Sequence, residues 1–96
     1  MRPSLALDLH RTAVRKIVER HHACNARVFG SVIYGEDTEH SDLDLLVDPT
    51  SETTLMDIAA IQVETEELLG VRVDVLTPKS LPVKFRERVL SEALSV

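Results

Sequence analysis

Apolar residues recur at every third or fourth position in three stretches of the chain, a period typical of helices that pack on one side. The first stretch predicts a helix that begins at an N-cap serine, Ser4, and ends near His22. Its apolar face is predicted to consist of Leu5, Leu9, Ala13, Val14, Ile17 and Val18. The exposed side would then carry Arg11, Arg15, Lys16 and Glu19.

A second helix is predicted from Thr54 to Gly70. The Thr54 hydroxyl and Asp57, three residues later, form the pattern of a capping box, and a glycine commonly follows the last turn of a helix. The buried positions of this helix are predicted to be Leu55, Ile58, Ile61, Leu68 and Leu69. After a turn between two prolines, a last helix is outlined by Phe85, Val89, Leu90, Ala93 and Leu94.

Three other stretches predict strands. Residues 26–29 form a short apolar run, while residues 42–48 and 71–76 alternate between apolar and polar side chains. The predicted order of elements is helix, strand, turn or short helix, strand, helix, strand, helix. This order indicates an α/β (α+β) chain with one small mixed sheet and helices packed mainly on one face. No stretch resembles a linker, so residues 1–96 are expected to form a single domain.

Composition narrows the functional classes. Hydrophobic residues make up 44% and charged residues 28% of the chain, as in ordinary globular proteins. A net charge of −5 and only three aromatic residues argue against direct nucleic-acid binding. The single cysteine, Cys24, cannot form an internal disulfide, and no apolar run approaches the length of a membrane helix or a signal peptide. These features predict a cytoplasmic protein without a membrane segment.

The most informative stretch is Gly30-Ser31, followed after ten residues by Asp42-Leu43-Asp44. A glycine after a strand allows backbone and ligand to approach closely, and the N–H groups of a helical turn over residues 31–34 would suit a phosphate. Gly35 would allow a second bend. A hydroxyl at Ser41 could stabilise the start of the next strand.

Asp42 and Asp44 stand two positions apart on a predicted strand, so both carboxylates leave the same face, roughly 7 Å apart at Cα. Mg²⁺ prefers such oxygen ligands and completes its shell with water and phosphate, and two metal ions would serve phosphoryl transfer. Asp74, on an adjacent strand, is the candidate third ligand and general base. Taken singly, each aspartate would more often be a solvated strand residue, and it is the combination that favours a metal–nucleotide site.

The stretch from Phe29 to Asp48, together with Val73-Asp74-Val75, resembles the nucleotidyltransferases of the DNA polymerase β superfamily, and most of all the minimal nucleotidyltransferase (MNT) antitoxins. The resemblance implies a nucleotidyltransferase fold, two Mg²⁺ ions held by Asp42, Asp44 and Asp74, and ATP whose phosphates lie on Gly30 and Ser31. It also implies a hetero-oligomer with a HEPN-domain toxin, an RNase, in a type VII-like toxin–antitoxin pair. The antitoxin would transfer AMP to a tyrosine of that toxin.

Two alternatives stay open at this stage: an antitoxin that acts by binding alone, and a transferase acting on a small molecule. Many members of this family carry a basic residue just before the second glycine, where this chain has Tyr34. Another basic residue would then have to contact the triphosphate. The sequence offers Arg72, Lys84 and Arg86 without distinguishing among them.

Overall fold

The computed structural model describes all 96 residues. Its helices are α1 (Pro3–Arg20), α2 (Leu55–Leu69) and α3 (Val83–Glu92). Its strands are β1 (Ala23–Phe29), β2 (Leu43–Pro49), β3 (Val73–Leu76) and β4 (Leu94–Ser95). Two short 3₁₀ turns cover Gly30–Tyr34 and Pro78–Ser80.

The four strands form one mixed sheet in the order β3-β2-β1-β4. Strand β1 pairs antiparallel with β2 and with β4, whereas β2 and β3 are parallel and are connected through α2. This arrangement confirms the predicted α/β class with a small mixed sheet. None of the helices has the length and hydrophobicity needed to cross a lipid bilayer.

The main core lies between one face of the sheet and helices α1 and α2. Alternate residues of β2, namely Leu43, Leu45 and Val47, are fully buried in this core. Because successive strand residues point to opposite faces, Asp44 and Asp48 must lie on the other face. The fold therefore places Asp44 and Asp48 on the sheet face opposite the main core.

The start of α1 differs from the prediction. Arg2 is the N-cap and Pro3 occupies the first helical turn, as proline's fixed φ favours, so Ser4 lies inside the helix. Leu5 and Leu9 are 47% and 67% exposed, not buried. A spacing of four residues overshoots a helical turn by about 40° at each step, and the backbone of α1 is also kinked at His10, so a stripe drawn from Leu5 to Ile17 does not stay on one face. The buried positions are Pro3, Ala6, Leu7, Val14, Ile17 and Val18.

Helix α2 confirms the predicted ends. Thr54 and Asp57 form both hydrogen bonds of the capping box, and Gly70 adopts a left-handed conformation with φ of 70° after the last turn. The prediction that Leu55 is buried is wrong, because this residue is 88% exposed on the first turn. A residue beside the N-cap extends past the end of the core, whereas Ile61 and Leu69 lie against it.

The C-terminus also differs from the prediction. Helix α3 ends at Glu92, and the next residues form the short strand β4. The chain end is held by three long-range contacts: Val96 N–H donates to Ala26 O at 3.0 Å, Arg11 donates to Ser95 O at 3.3 Å, and Arg15 donates to Val96 O at 2.9 Å. Such contacts between distant residues leave no periodic signal in the sequence.

Candidate active site

The first component of the site is the junction where β1 turns into the 3₁₀ segment at Gly30. This glycine has φ of +79°, and a Cβ atom built on it would lie 2.6 Å from Asp44 Oδ2. Any side chain at this position would therefore collide with the Asp44 carboxylate and strain the backbone. The group that packs against Gly30 is the Asp44 carboxylate, and the approach of a ligand to this glycine stays a prediction.

The sheet register brings two acids side by side. Asp44 is the direct partner of Asp74 in the parallel pair of β2 and β3, and the partner of Phe29 in the antiparallel pair. Asp42 precedes β2 and leaves the same side of the chain as Asp44. The parallel pairing explains why residues 30 positions apart in the sequence meet at one point.

Electrostatic coupling among these acids follows from their placement. Partial burial of Asp44, reinforced by the negative charges of Asp74 and Asp42, raises the pKa of Asp44 to about 6. A neighbouring carboxylate disfavours ionisation, whereas a cation near the group would favour it. The three side chains thus form one negatively charged unit centred on Asp44.

This unit fits a divalent cation chemically. Carboxylate oxygens are the ligands that Mg²⁺ prefers, and the absence of a Cβ at Gly30 leaves room for the Asp44 carboxylate at this position. The side chains are not already gathered into a cage, since no three histidine, cysteine or acidic groups lie close enough together to hold a metal as they stand. Water and phosphate oxygens would complete the shell of a bound ion.

The other predicted residues lie around this centre. Ser31 belongs to the 3₁₀ turn Gly30–Tyr34, which confirms a helical turn at this position. Gly35 ends the turn with φ of 68°, and a Cβ atom at this position would have no neighbour within 4 Å, so only its backbone conformation requires glycine. Ser41 Oγ accepts from Thr38 N–H at 2.9 Å and stabilises the turn before β2, as expected.

A cavity of about 270 Å³ lies beside Asp42. Its lining residues are Glu39, His40, Ser41, Asp42, Gly70, Val71 and Arg72. Arg72 Nε is 4.0 Å from Asp42 Oδ1, and the Arg72 side chain is 86% exposed. Arg72, one of the three predicted basic candidates, is therefore close to the acidic unit and free to move.

Of the other two candidates, Arg86 is already engaged. Its guanidinium donates to Lys79 O at 3.1 Å and to Leu81 O at 3.0 Å, so it fixes the turn before α3. Lys84 lies 5.7 Å from the centre of the Phe85 ring. Neither residue lines the cavities next to Gly30 or Asp42.

The sequence reasoning missed a second wall of the site, formed by α3. Arg88, Val89 and Glu92 line a cavity of about 180 Å³ together with Phe29, Gly30, Tyr34 and Phe85. Tyr34 donates a hydrogen bond to Glu92, which also accepts from Arg88 Nε at 3.4 Å. The spacing of positions 85, 88, 89 and 92 is that of one helix face, which is a signal present in the sequence.

Asp37 was also missed. It is only 3% exposed, and its Oδ2 accepts from Ser4 N–H at 2.8 Å, which caps the first turn of α1 from a distance. Although burial opposes it, the hydrogen bonds from Ser4 lower the pKa of Asp37. Asp37 lies in the spacer between Gly35 and Asp42, so this bond fixes the spacer against α1.

Comparison with known proteins places these features in a family context. Residues 10–96 match the model of the nucleotidyltransferase domain. A protein from Methanocaldococcus jannaschii, provisionally named a protein adenylyltransferase, is 39% identical over 85 residues, covering 85% of this chain and 91% of its own. The protein adenylyltransferase MntA of Thermococcus cleftensis is 36% identical over 90 residues, covering 94% of this chain and 88% of its own.

Solved structures agree with this assignment. A protein provisionally described as a minimal nucleotidyltransferase superposes with a TM-score of 0.87 at 45% identity, covering 97% of this chain and 95% of its own. A toxin–antitoxin complex crystallised with AMP-PNP contains a chain of the same fold, with a TM-score of 0.73 at 16% identity, covering 88% of this chain and 69% of that one.

Proposed function

The chain belongs to the nucleotidyltransferase domain family, and from this premise we propose that it is a Mg²⁺-dependent protein adenylyltransferase that moves AMP from ATP to a hydroxyl group of a partner protein. The observation that carries the proposal is the register of β2 and β3, which pairs Asp44 with Asp74 beside Gly30. Relatives named protein adenylyltransferases at 36% and 39% identity support the same activity.

In the proposed reaction, the hydroxyl oxygen of the acceptor forms a bond to the α-phosphorus of ATP. The bond from that phosphorus to the bridging oxygen breaks, and pyrophosphate leaves. Asp42, Asp44 and Asp74 would hold Mg²⁺, which when bound neutralises charge on the phosphates. Asp74, exposed at the edge strand, would accept the proton of the attacking hydroxyl.

The nucleotide would lie along the turn after β1. Gly30 and Ser31 would contact its phosphates through backbone N–H groups and the Ser31 hydroxyl, with Gly35 and Ser41 shaping the rest of the loop. Gly30 makes this approach possible because it carries no Cβ. An ATP-dependent reaction and one unpaired cysteine also favour the cytoplasm as the location.

For the acceptor we propose a tyrosine of a HEPN-domain toxin encoded with this chain. The sequence resembles the MNT antitoxins, and a fold neighbour comes from a toxin–antitoxin complex. A partner that presents the hydroxyl beside the acidic face would supply the positioning on which this transfer depends.

The test is intact mass spectrometry of the partner after incubation with the chain, ATP and Mg²⁺. The partner should gain one or more AMP masses, and Asp44→Asn should abolish the gain. Asp48→Asn is the matched control, because Asp48 lies on the same strand and face but pairs with Arg27. A gain that persists in Asp44→Asn would refute the site assignment.

A second function, neutralisation of the toxin by binding alone, is favoured by one observation. Tyr34 stands where many family members have a basic residue, and it is bonded to Glu92. If binding alone suffices, Asp44→Asn should protect cells from the toxin as well as the unmodified chain does. If that variant loses protection, neutralisation of the toxin requires catalysis.

A further inference from the structure

The cavity between the 3₁₀ turn and α3 contains a single cationic side chain, that of Arg88. The other lining residues are Phe29, Gly30, Tyr34, Phe85, Val89 and Glu92. Gly30, whose missing Cβ leaves room for the Asp44 carboxylate, is one of these lining residues. An anion bound in this cavity would lie close to both Arg88 and Gly30.

We propose that Arg88 is a phosphate-binding residue of this chain, which contacts the phosphates of the nucleotide that lie beyond the one being transferred. The inference rests on the proposed function and deepens it. A polyphosphate brings several negative charges toward a centre that already holds three carboxylates, so a cation outside the metal site lowers the electrostatic cost of binding. A planar guanidinium can donate two parallel hydrogen bonds to a phosphate group.

The resting contacts of Arg88 keep it available for this role. Arg88 Nε donates to Glu92 Oε1 at 3.4 Å, a long hydrogen bond, and its side chain is 71% exposed. Because most of the side chain is exposed, a phosphate can reach the guanidinium from solvent, where it would compete with Glu92 and the Tyr34 hydroxyl. Glu92 is itself held by the Tyr34 hydroxyl, so the pair is fixed to the turn that would carry the phosphates.

Alternative cations are excluded by their positions. Arg86 is held by the carbonyl groups of Lys79 and Leu81, and Lys84 does not line this cavity. Arg72 lines the other cavity, beside Asp42, with its Nε 4.0 Å from Asp42 Oδ1. A volume of about 180 Å³ is below the size of a typical whole-ligand pocket, which suits a subsite for part of a nucleotide.

The test is calorimetric titration of the full chain with Mg²⁺ and inorganic tripolyphosphate, and in parallel with adenosine. Arg88→Gln should weaken tripolyphosphate binding about tenfold and leave adenosine binding unchanged, since only phosphate contacts are lost. Lys84→Gln, which removes the same charge from the same helix outside the cavity, should bind both ligands normally. Unchanged tripolyphosphate binding in Arg88→Gln, or an equal loss in Lys84→Gln, would overturn the proposal.

Arg88→Lys provides a second measurement if the glutamine variant does not fold. It keeps the charge but loses the paired donors, so tripolyphosphate binding should weaken about threefold; binding equal to that of the unmodified chain would contradict the proposal. If tripolyphosphate binding depends on Arg88 but the unmodified chain transfers no AMP, the result counts against the proposed function alone. AMP transfer that needs Asp44, with phosphate binding independent of Arg88, would count against this inference alone.

Discussion

Replacing Asp44 by asparagine should stabilise the metal-free protein. In the folded chain, burial and the charges of Asp74 and Asp42 raise the pKa of Asp44 from 3.8 to about 6. At pH 8 the ionised carboxylate is therefore held in a less favourable environment than in the unfolded chain. A neutral amide of the same shape removes this charge and its repulsion from the neighbouring acids.

The size of the effect follows from the difference between the two pKa values. About two pH units correspond to about 3 kcal/mol of unfolding free energy. Asp44 is only half-buried, so solvent screening reduces the expected gain to about 1 kcal/mol, or about 5 °C in melting temperature for a domain of this size. The gain should be complete above pH 6 and vanish below pH 4, where the carboxyl group is protonated in both states.

The assay is thermal unfolding in EDTA, followed by circular dichroism between pH 4 and pH 8. Asp48→Asn is the control with the opposite sign, because Asp48 pairs with Arg27 and accepts from Asn25 Nδ2 at 2.9 Å. It should lose stability at pH 8. Adding Mg²⁺ and ATP should raise the melting temperature of the unmodified chain and of Asp48→Asn, but not that of Asp44→Asn. An Asp44→Asn variant no more stable than the unmodified chain at pH 8 in EDTA would refute the reasoning.

Two further predictions concern the loop around the site. Gly30→Ala should abolish AMP transfer and lower the free energy of unfolding in urea by about 2 kcal/mol, because the new Cβ meets the Asp44 carboxylate at 2.6 Å. Gly35→Ala is the control and should cost only the backbone strain of its positive φ, about 1 kcal/mol. Equal costs for the two variants would contradict the contact between Gly30 and Asp44. Asp37→Ala should lower the unfolding free energy by about 1–2 kcal/mol at neutral pH, since it removes the acceptor of Ser4 N–H. Because the folded pKa of Asp37 is lowered, that stabilisation should disappear as the pH falls through the lowered value, and a difference that persists in acid would speak against an ionic cap.

Local patterns predicted much of the framework. Alternation in residues 42–48 identified β2, and the capping box at Thr54 with Gly70 located both ends of α2, because these signals depend on neighbours within a few residues. The motif Gly30-Ser31 and the acids at 42 and 44 were also recognisable, since the chemistry they suit restricts the residue types and their spacing. Their roles in binding and catalysis stay predictions.

Long-range contacts produced the errors and omissions. The helical period predicts Leu5 and Leu9 in the core, but both are exposed, because the side of α1 that is buried is set by the segments that pack against it. Strand β4 was missed because it exists only through pairing with Arg27 and Val28. Asp37 was overlooked because its partner, Ser4, lies 33 positions away.

By itself, then, the sequence determined the type and order of most elements and the residues able to do the chemistry, since these depend on local periodicity and on side-chain type. Only the tertiary structure decided which of those residues meet. The parallel register of β2 and β3 places Asp74 beside Asp44, and the return of α3 brings Arg88 to the cavity at Gly30. Both results follow from strand pairing and packing between distant segments, which no short stretch of the chain encodes.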